Sequence, residues 1–564
     1  MADHRKLLAQ ALCATSLAGL VFLSVHLAAS RIYQVDEAQN VFSARLAALG
    51  SSGEFYTNGS LILLGPLSWI TRWAQSSVAM FTLSRLLFTV VFWTNLALIP
   101  MAMGFRVRRS GYWWALLGTA TVAPLWDYGF EVRHDNVMLT LLLLFWIAVR
   151  SGVRHPRTAF AVMGVLAATL QAVAFKSFLY WVPVTLGALA FPPILEGRWR
   201  RARLAAVWLS AFAIWAATLA GVYLGSGLWD SFREGLGVAL SFSQNAVRLS
   251  PRDTLVRLLG QAPLLVALSA ASFVVVWVGW RRRAAEAIDR ESPVPDLLLL
   301  VLAFGALLAN PTPYPYNLVL LVPFMIVPLR RAGIRLRSLA PRLSTSAPLV
   351  ALLVTCHLTP FIRPVLRHLE WTNERQQELM RLAESLTDPS RDRVFDGIGL
   401  VPTRASIGRF WFLHTLFMDR VRSGAMPSPA AMLAAHPASV IIRSYRTDWF
   451  SPTDVAFVNA HYVGLSDEFL VLGKVLPPGG GRWECIHPGS YALLLHGAAS
   501  PGSDLGVLLD GRDHPFGSRQ WIEKGTHELQ SSQGSSILVL WTGPRSTLPV
   551  LKPGDHRMLF YNWY

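Results

Sequence analysis

Through its first 361 residues the chain repeats one unit, an apolar run closed by a short arginine-rich turn. Hydrocarbon offers the backbone no water to bond with, so runs of this kind can span only as helices whose amides and carbonyls pair internally. We count about eleven, from roughly Leu7–Ser30 to Ser346–Phe361. Composition agrees: 53% of the 564 residues are hydrophobic and 15% charged, against about a quarter charged in ordinary soluble domains. The predicted fold class is a polytopic α-helical membrane domain over 1–361 with a C-terminal extracytoplasmic α/β plus β-sandwich region.

A net charge of +17 would suggest nucleic acid in a soluble chain. Its placement points elsewhere. Basic residues follow alternate spans, at Arg106–Arg109, Arg150–Arg157, Arg198–Arg203, Arg281–Arg283 and Arg330–Arg342. The inner loops then hold about 21 Lys and Arg and the short outer loops about 8, the bias that puts the N-terminus inside. Nucleic acid is therefore not an expected partner. The first span begins with His4-Arg5-Lys6 but is long for a signal peptide and has no clear small-residue cleavage site, so it reads as a retained helix. Cys13, Cys356 and Cys485 are too scattered for a disulfide framework or a metal site. The expected location is a bacterial inner membrane, with a cytoplasmic N-terminus and a periplasmic C-terminal domain.

Several spans, near 111–126, 136–149, 158–175 and 177–193, are short for a full crossing. Lys176 falls between the last two with no polar loop around it, which suits a hairpin that ends at a wet cavity; a snorkelling lysine is the plainer alternative. The first outer loop, 31–77, carries two runs with helical apolar spacing, Asp36–Leu49 and Ser60–Trp73, broken by Ser51-Ser52-Gly53 and Asn58-Gly59. They are expected as amphipathic helices on the outer membrane surface. A second long outer loop, about 226–254, contains Trp229, Arg233, Arg248 and Arg252, and a short rigid one runs Pro311-Thr-Pro-Tyr-Pro-Tyr-Asn317. Composition turns soluble near Arg363. An α/β unit is expected over 362–474, a linker at Pro477-Pro478-Gly479-Gly480-Gly481, and a β-sandwich over 482–564.

Four features gather on the outer side in this topology. They are Asp36-Glu37 after the first span, Glu131-Val-Arg133-His134-Asp135-Asn136 before the fourth, Lys176, and Tyr314-Pro-Tyr316-Asn317. Charge at the edge of hydrocarbon is costly and calls for a functional reason. Transfer from a lipid-phosphate donor supplies one. A carboxylate takes the proton of an attacking hydroxyl, cations hold the departing phosphate, and aromatic faces suit a sugar or an isoprenoid.

These residues resemble the polytopic glycosyltransferases of the GT-C fold, in the branch of the protein mannosyltransferases and aminoarabinose transferases, over roughly 5–330. The resemblance rests on Asp36-Glu37, Gly65-Pro66-Leu67-Ser-Trp69, Ser84-Arg85-Leu86, Arg133-His-Asp135, Ala174-Phe-Lys176, and Pro313-Tyr-Pro-Tyr316-Asn with Pro323. Two departures stand out: Ala38-Gln39-Asn40 replaces the basic residue that often follows the acidic pair, and His134-Asp135-Asn136 differs from the commonest second motif. The resemblance implies a polyprenyl-phosphate sugar as donor, a lipid, glycan or protein of the cell envelope as acceptor, and inversion at the anomeric carbon. It makes Asp36 the general base, with Glu37 orienting it or the acceptor. Lys176 and Arg133 would grip the donor phosphate. Asp135, His134, Glu131, Arg85, Tyr314, Tyr316 and Asn317 would line the substrate site. No cofactor and no metal-ligand set is expected, although a divalent ion is compatible with the chemistry.

Plainer readings stand beside these. Asp36-Glu37 also suits the N-terminus of the helix that follows; Glu131, Arg133 and Asp135 also suit a structural ion-pair cluster; Tyr314 and Tyr316 also suit an interfacial belt; and His134 has no second histidine at ligand spacing. Two rival functions are a flippase of lipid-linked sugars, which predicts matched halves and midplane charges, and a membrane-anchored scaffold whose tail carries the function.

Overall fold

The computed structural model describes residues 2–50, 61–151, 155–190, 198–230, 232–233, 236–237, 250–283, 294–310, 313–330, 333–334, 347–408, 411–496, 506–531, 535–545 and 551–560. The turns at Ser51–Gly53 and Asn58-Gly59, the loop residue Arg248, and Pro311, Thr312, Arg331, Arg335, Arg337 and Arg342 lie outside the described residues.

Among the described residues, the first part of the bundle is built from α1 (Ala2–Ser30), α2 (Val35–Ala48), α3 (Leu61–Trp73), α4 (Ser77–Ala102), α5 (Ser110–Ala120), α6 (Ala123–Tyr128), α7 (His134–Ser151), α8 (Pro156–Val173), α9 (Phe178–Ala190) and α10 (Arg198–Gly225). Among the described residues, five helical segments are long and apolar enough to cross a bilayer: Lys6–Ser30, Ser77–Ala102, Pro156–Val173, Arg201–Gly225 and Pro348–Glu370. Arg252–Gln261 and Pro263–Val274 qualify as a pair bent by 100°, and Leu300–Ala309 and Pro315–Ile326 are shorter apolar helices. The expected eleven spans thus do not appear as eleven full-length helices. The run near 111–126 shows why: it is split between α5 and α6, with proline in the first turn of α6, where its missing N–H costs nothing. The helix Leu318–Ile326 is buried along its whole length, as befits a helix that is apolar all round.

Helix α2 does not lie open on a surface. Val35, Ala38, Val41, Phe42 and Leu46 are buried, and Phe42 packs against Trp411 of the C-terminal region with ring centroids 4.3 Å apart. Its partner α3 instead exposes Trp69 and Trp73, amphipathic rings of the kind that settle at a headgroup boundary.

Among the described residues, the strands of the C-terminal region are β1 (Val394–Phe395), β2 (Val440–Ile442), β3 (Tyr462–Gly464), β4 (Phe469–Leu476), β5 (Gly480–Cys485), β6 (Gly489–Leu495), β7 (Gly506–Leu509), β8 (Arg512–Pro515), β9 (Arg519–Ile522), β10 (Gly525–Ser531) and β11 (Ile537–Trp541). One sheet runs β1-β2-β4-β11-β6-β9, with β3 on β4; the second runs β5-β10-β7-β8. β1 and β2 are parallel, Val394 opposite Val440, and the remaining pairs are antiparallel. The larger sheet therefore draws strands from both sides of Pro477–Gly481, where Pro477–Gly479 turns β4 into β5 and Gly480-Gly481 open β5. Proline and glycine chemistry reads alike in both settings, which is why composition suggested a linker.

This region is fastened to the bundle by backbone as well as side chains. Asn373 N–H donates to Ser30 O (2.8 Å) and Ile32 N–H to Trp371 O (2.9 Å). Gln376 accepts from Tyr33 N–H (2.7 Å) and donates to Tyr33 O (3.0 Å) and Leu559 O (2.8 Å). One hydrophobic core runs from Phe42, Met80 and Phe81 through Leu379 and Trp411 to Val440, Val471 and Trp541.

Candidate active site

The first acidic pair divides its labour. Glu37 is fully buried, and its carboxylate meets Arg85 of α4 through two nitrogens at 2.8 and 2.5 Å. It also accepts the N–H groups of Gln34 (2.9 Å) and Val132 (3.1 Å). Arg85 in turn donates to the carbonyls of Arg31 and Ile32. Both residues thus fix the turn between α1 and α2. Glu131 belongs to the same scaffold: it is buried and paired at 2.6 Å with Arg31, whose guanidinium also donates to Asp127 O (2.8 Å). Asn40, one turn along α2, donates to Val132 O (2.8 Å) and clamps the loop that carries Arg133.

On this base stands a second, more open group. Asp36 keeps about a third of its side chain exposed and pairs with Nη1 of Arg133. Nη2 of Arg133 lies 3.3 Å from Asp135, and the guanidinium sits 3.7 Å from the ring centroid of Tyr316. Asp135 is buried at the start of α7, and its Oδ1 lies 2.6 Å from Nζ of Lys176 and 3.6 Å from Nε2 of His134. Lys176 occupies the 3₁₀ turn Phe175–Ser177 that joins α8 to α9. Its ammonium also donates to Asn317 Oδ1 (3.2 Å), which accepts from Asn310 as well, and lies 5.2 Å from the Tyr316 ring. Tyr314 and Tyr316 have ring centroids 5.5 Å apart, in and just before the 3₁₀ turn Pro315–Asn317. Residues 36, 133–135, 176 and 314–317 therefore meet in space, whereas Glu37, Arg85 and Glu131 stand behind them as support.

The C-terminal region adds two groups that sequence reasoning missed. Arg446 is buried, donates to Leu413 O, and packs among Phe412 (4.7 Å), Trp449 (5.1 Å) and Tyr445 (5.6 Å). It has no carboxylate partner among the described residues. Its charge nonetheless reaches Asp36 and Tyr314. Burial pushes the Asp36 carboxyl up, but Arg133 first, then Arg446 and His134, pull it below its ordinary 3.8. Burial pushes the Tyr314 hydroxyl up, with the charge of Asp36 adding to it. His414, stacked on Phe412 at 6.2 Å, is held neutral to about 4 by burial and by Arg446. The available signal was local: Arg446 and His414 each sit in an aromatic stretch, Tyr445-Arg446 and Trp411-Phe412-Leu413-His414. Nothing in sequence ties those stretches to residue 36.

Among the described residues, the histidine, cysteine and carboxylate groups close enough to share an ion are Asp467, Asp555 and His556 of the C-terminal region. There His556 already bonds Asp467 (2.5 Å) and Asp448 (2.7 Å).

No protein-family profile matches the chain, and no curated protein is detectably similar to it in sequence. Among solved structures it is similar to the oligosaccharyltransferase of Archaeoglobus fulgidus, in a complex with zinc and sulfate and in the apo form. Identity is 12% and 11%, the match covers 84% of this chain and 72% and 74% of the other, and the TM-score is 0.43 in both. A superposition that loose leaves the reading of function to the residues themselves.

Proposed function

We propose that this chain is a membrane glycosyltransferase that moves a sugar from a polyprenyl-phosphate carrier to an envelope acceptor on the periplasmic face of a bacterial inner membrane. The observation that carries this reading is the sharing of Arg133 and Lys176 between two carboxylates, with one carboxylate still open. Without substrate the two cations are neutralised by Asp36 and Asp135. A donor phosphate competes for both cations, because its monoanionic phosphodiester offers strong acceptor oxygens to a guanidinium fork and an ammonium and gains a second charge as the sugar leaves.

That competition also solves a problem of base strength. A carboxylate held low by an arginine is a weak base. Once Arg133 turns to the phosphate, burial of Asp36 is less opposed and its affinity for a proton rises. The acceptor hydroxyl then attacks the anomeric carbon as the bond from that carbon to the phosphate oxygen breaks. The hydroxyl proton passes to Asp36, and polyprenyl phosphate leaves on Lys176 and Arg133. The displacement inverts the anomeric centre. Tyr314 and Tyr316, their rings tilted by 30° to each other, present aromatic faces for the sugar ring or the first isoprene units.

The test is a native mass spectrum of the purified protein with polyprenyl-phosphate sugars, beside a turnover assay. The wild type and Asp36→Asn should both retain the glycolipid, Lys176→Ala should lose it, and Asp36→Asn should not turn over. Full turnover by Asp36→Asn would remove Asp36 from the chemistry.

A further inference from the structure

A second concave site lies in the C-terminal region and shares no residue with the Asp36 cluster. It is a cavity of about 260 Å³ between β6, β9, the end of β11 and the turn preceding β1. That volume sits just under the usual range of small-ligand sites, about 300–1,000 Å³.

Its floor is built around Trp541, which is buried and donates to Leu386 O (3.2 Å). A Cβ on Gly489 would fall 2.2 Å from the Trp541 ring, and one on Gly543, at φ +55, would fall 1.9 Å from Leu386 O. Glycine at both positions leaves the indole room to form the floor. His487 packs on it at 5.4 Å and bonds Asp392 at 3.2 Å. The Asp392 carboxylate also accepts Asp388 N–H (2.6 Å), so its charge is taken up inside the wall.

The mouth has the opposite character. Trp521 is 54% exposed, and the guanidinium of Arg391 lies 5.9 Å from its ring. Arg519 donates to Gly543 O and is otherwise exposed. Asp388 lies 3.6 Å from Arg391 in an exposed pair, and Glu523 accepts the Trp521 indole N–H (2.7 Å), which leaves the ring face open. An open indole face beside two guanidinium groups matches a ring that has an apolar face and an anionic substituent, which would compete with Asp388 for Arg391.

We propose that this cavity binds an acidic saccharide, its ring against Trp521, its carboxylate or phosphate on Arg391 and Arg519, and its hydroxyls toward Ser490 and His487. The assignment does not depend on the transfer chemistry, since it uses none of the same residues.

The test is isothermal titration of the full chain in detergent against three probes: a tetramer of galacturonic acid, the uncharged tetramer of galactose, and glycerophosphate as a lipid-headgroup mimic. The acidic tetramer should bind and the neutral one at least tenfold more weakly. Trp521→Ala should weaken the acidic tetramer at least tenfold, and Arg391→Ala at least fivefold with a shallower salt dependence. Both side chains are exposed, so circular dichroism should show either variant folded; Arg391→Ala decides the matter should Trp521→Ala unfold. Binding should persist in Asp36→Asn, which separates this site from the proposed transfer centre. Absence of binding, equal binding of the neutral tetramer, variants that bind like wild type, glycerophosphate in place of the saccharide, or loss of binding in Asp36→Asn would each overturn the assignment.

Discussion

Two neighbouring carboxylates, Asp36 and Glu37, face opposite fates one residue apart. Successive helical positions point about 100° apart, so Glu37 turns into Arg85 and the backbone while Asp36 turns toward Arg133. Their substitutions should separate accordingly. Glu37→Gln leaves Arg85 buried without its anion, and breaking such a pair costs about 3–5 kcal/mol. A thermal melt in detergent should show that loss. Asp36→Asn should melt close to wild type and lose roughly 10²–10⁴-fold in turnover, the usual worth of a general base. The pH profile gives a finer test. In the proposed role Asp36 acts in its ionised form, and its carboxyl is held below the ordinary 3.8 in the free protein. Activity measured as kcat/KM should therefore persist as pH falls through 3.8 and drop only below it, in assays short enough to precede acid unfolding. Arg133→Gln removes the largest opposing charge, so the same limb should move to higher pH.

At the scale of elements, the site depends on short irregular pieces rather than on long helices. Lys176 and Asn317 both sit on 3₁₀ turns, each at the start of an apolar helix, where the chain leaves the bundle core and side chains can reach one cluster. The turn at Gly397–Gly399 plays the corresponding part in the C-terminal region. Asp396 accepts the N–H groups of Ile398, Gly399 and Leu400 at 2.5–2.7 Å. Gly399 has φ +92, and a Cβ there would meet both Phe42 and Trp411 at 2.7 Å. Gly399→Ala should cost about 1–3 kcal/mol through the backbone alone, with more from displacing the Phe42–Trp411 pair. Hydrogen exchange should rise in α2 and in 397–413 together. In sequence Gly397-Ile-Gly399 is a weak signal; its meaning comes from what packs on it.

Across the whole molecule, the C-terminal region packs into the bundle beside the candidate site rather than standing as an appended module. It shares a hydrophobic core with α2 and α4 and sends the charge of Arg446 to Asp36. Arg446→Gln should move the acid limb of kcat/KM upward, by less than Arg133→Gln does, because Arg133 is the larger influence. Ending the chain after residue 361 should yield no stably folded membrane part, since Tyr33, Ile32 and Ser30 would lose their partners Gln376, Trp371 and Asn373. Limited proteolysis of the full chain should likewise release no folded 1–361 fragment; a stable, donor-binding fragment would contradict the shared core.

The sequence by itself determined that the chain is a helical membrane protein with a β-rich C-terminal region, and it supplied the residues of the rim cluster: Asp36, Arg133, Asp135, Lys176, Tyr316 and Asn317. Those are legible because hydropathy fixes where the chain is apolar, and a charge beside an apolar run is conspicuous at any distance from its partners. Only the tertiary structure decided that Glu37 pairs with Arg85 and Glu131 with Arg31 behind the rim cluster, that the apolar runs do not each make a full-length helix, and that one sheet crosses Pro477–Gly481. It also brought Arg446 and His414 to the candidate site from some four hundred residues along the chain. Such choices turn on which side chain fills which space, and composition and spacing carry no record of a contact between distant segments.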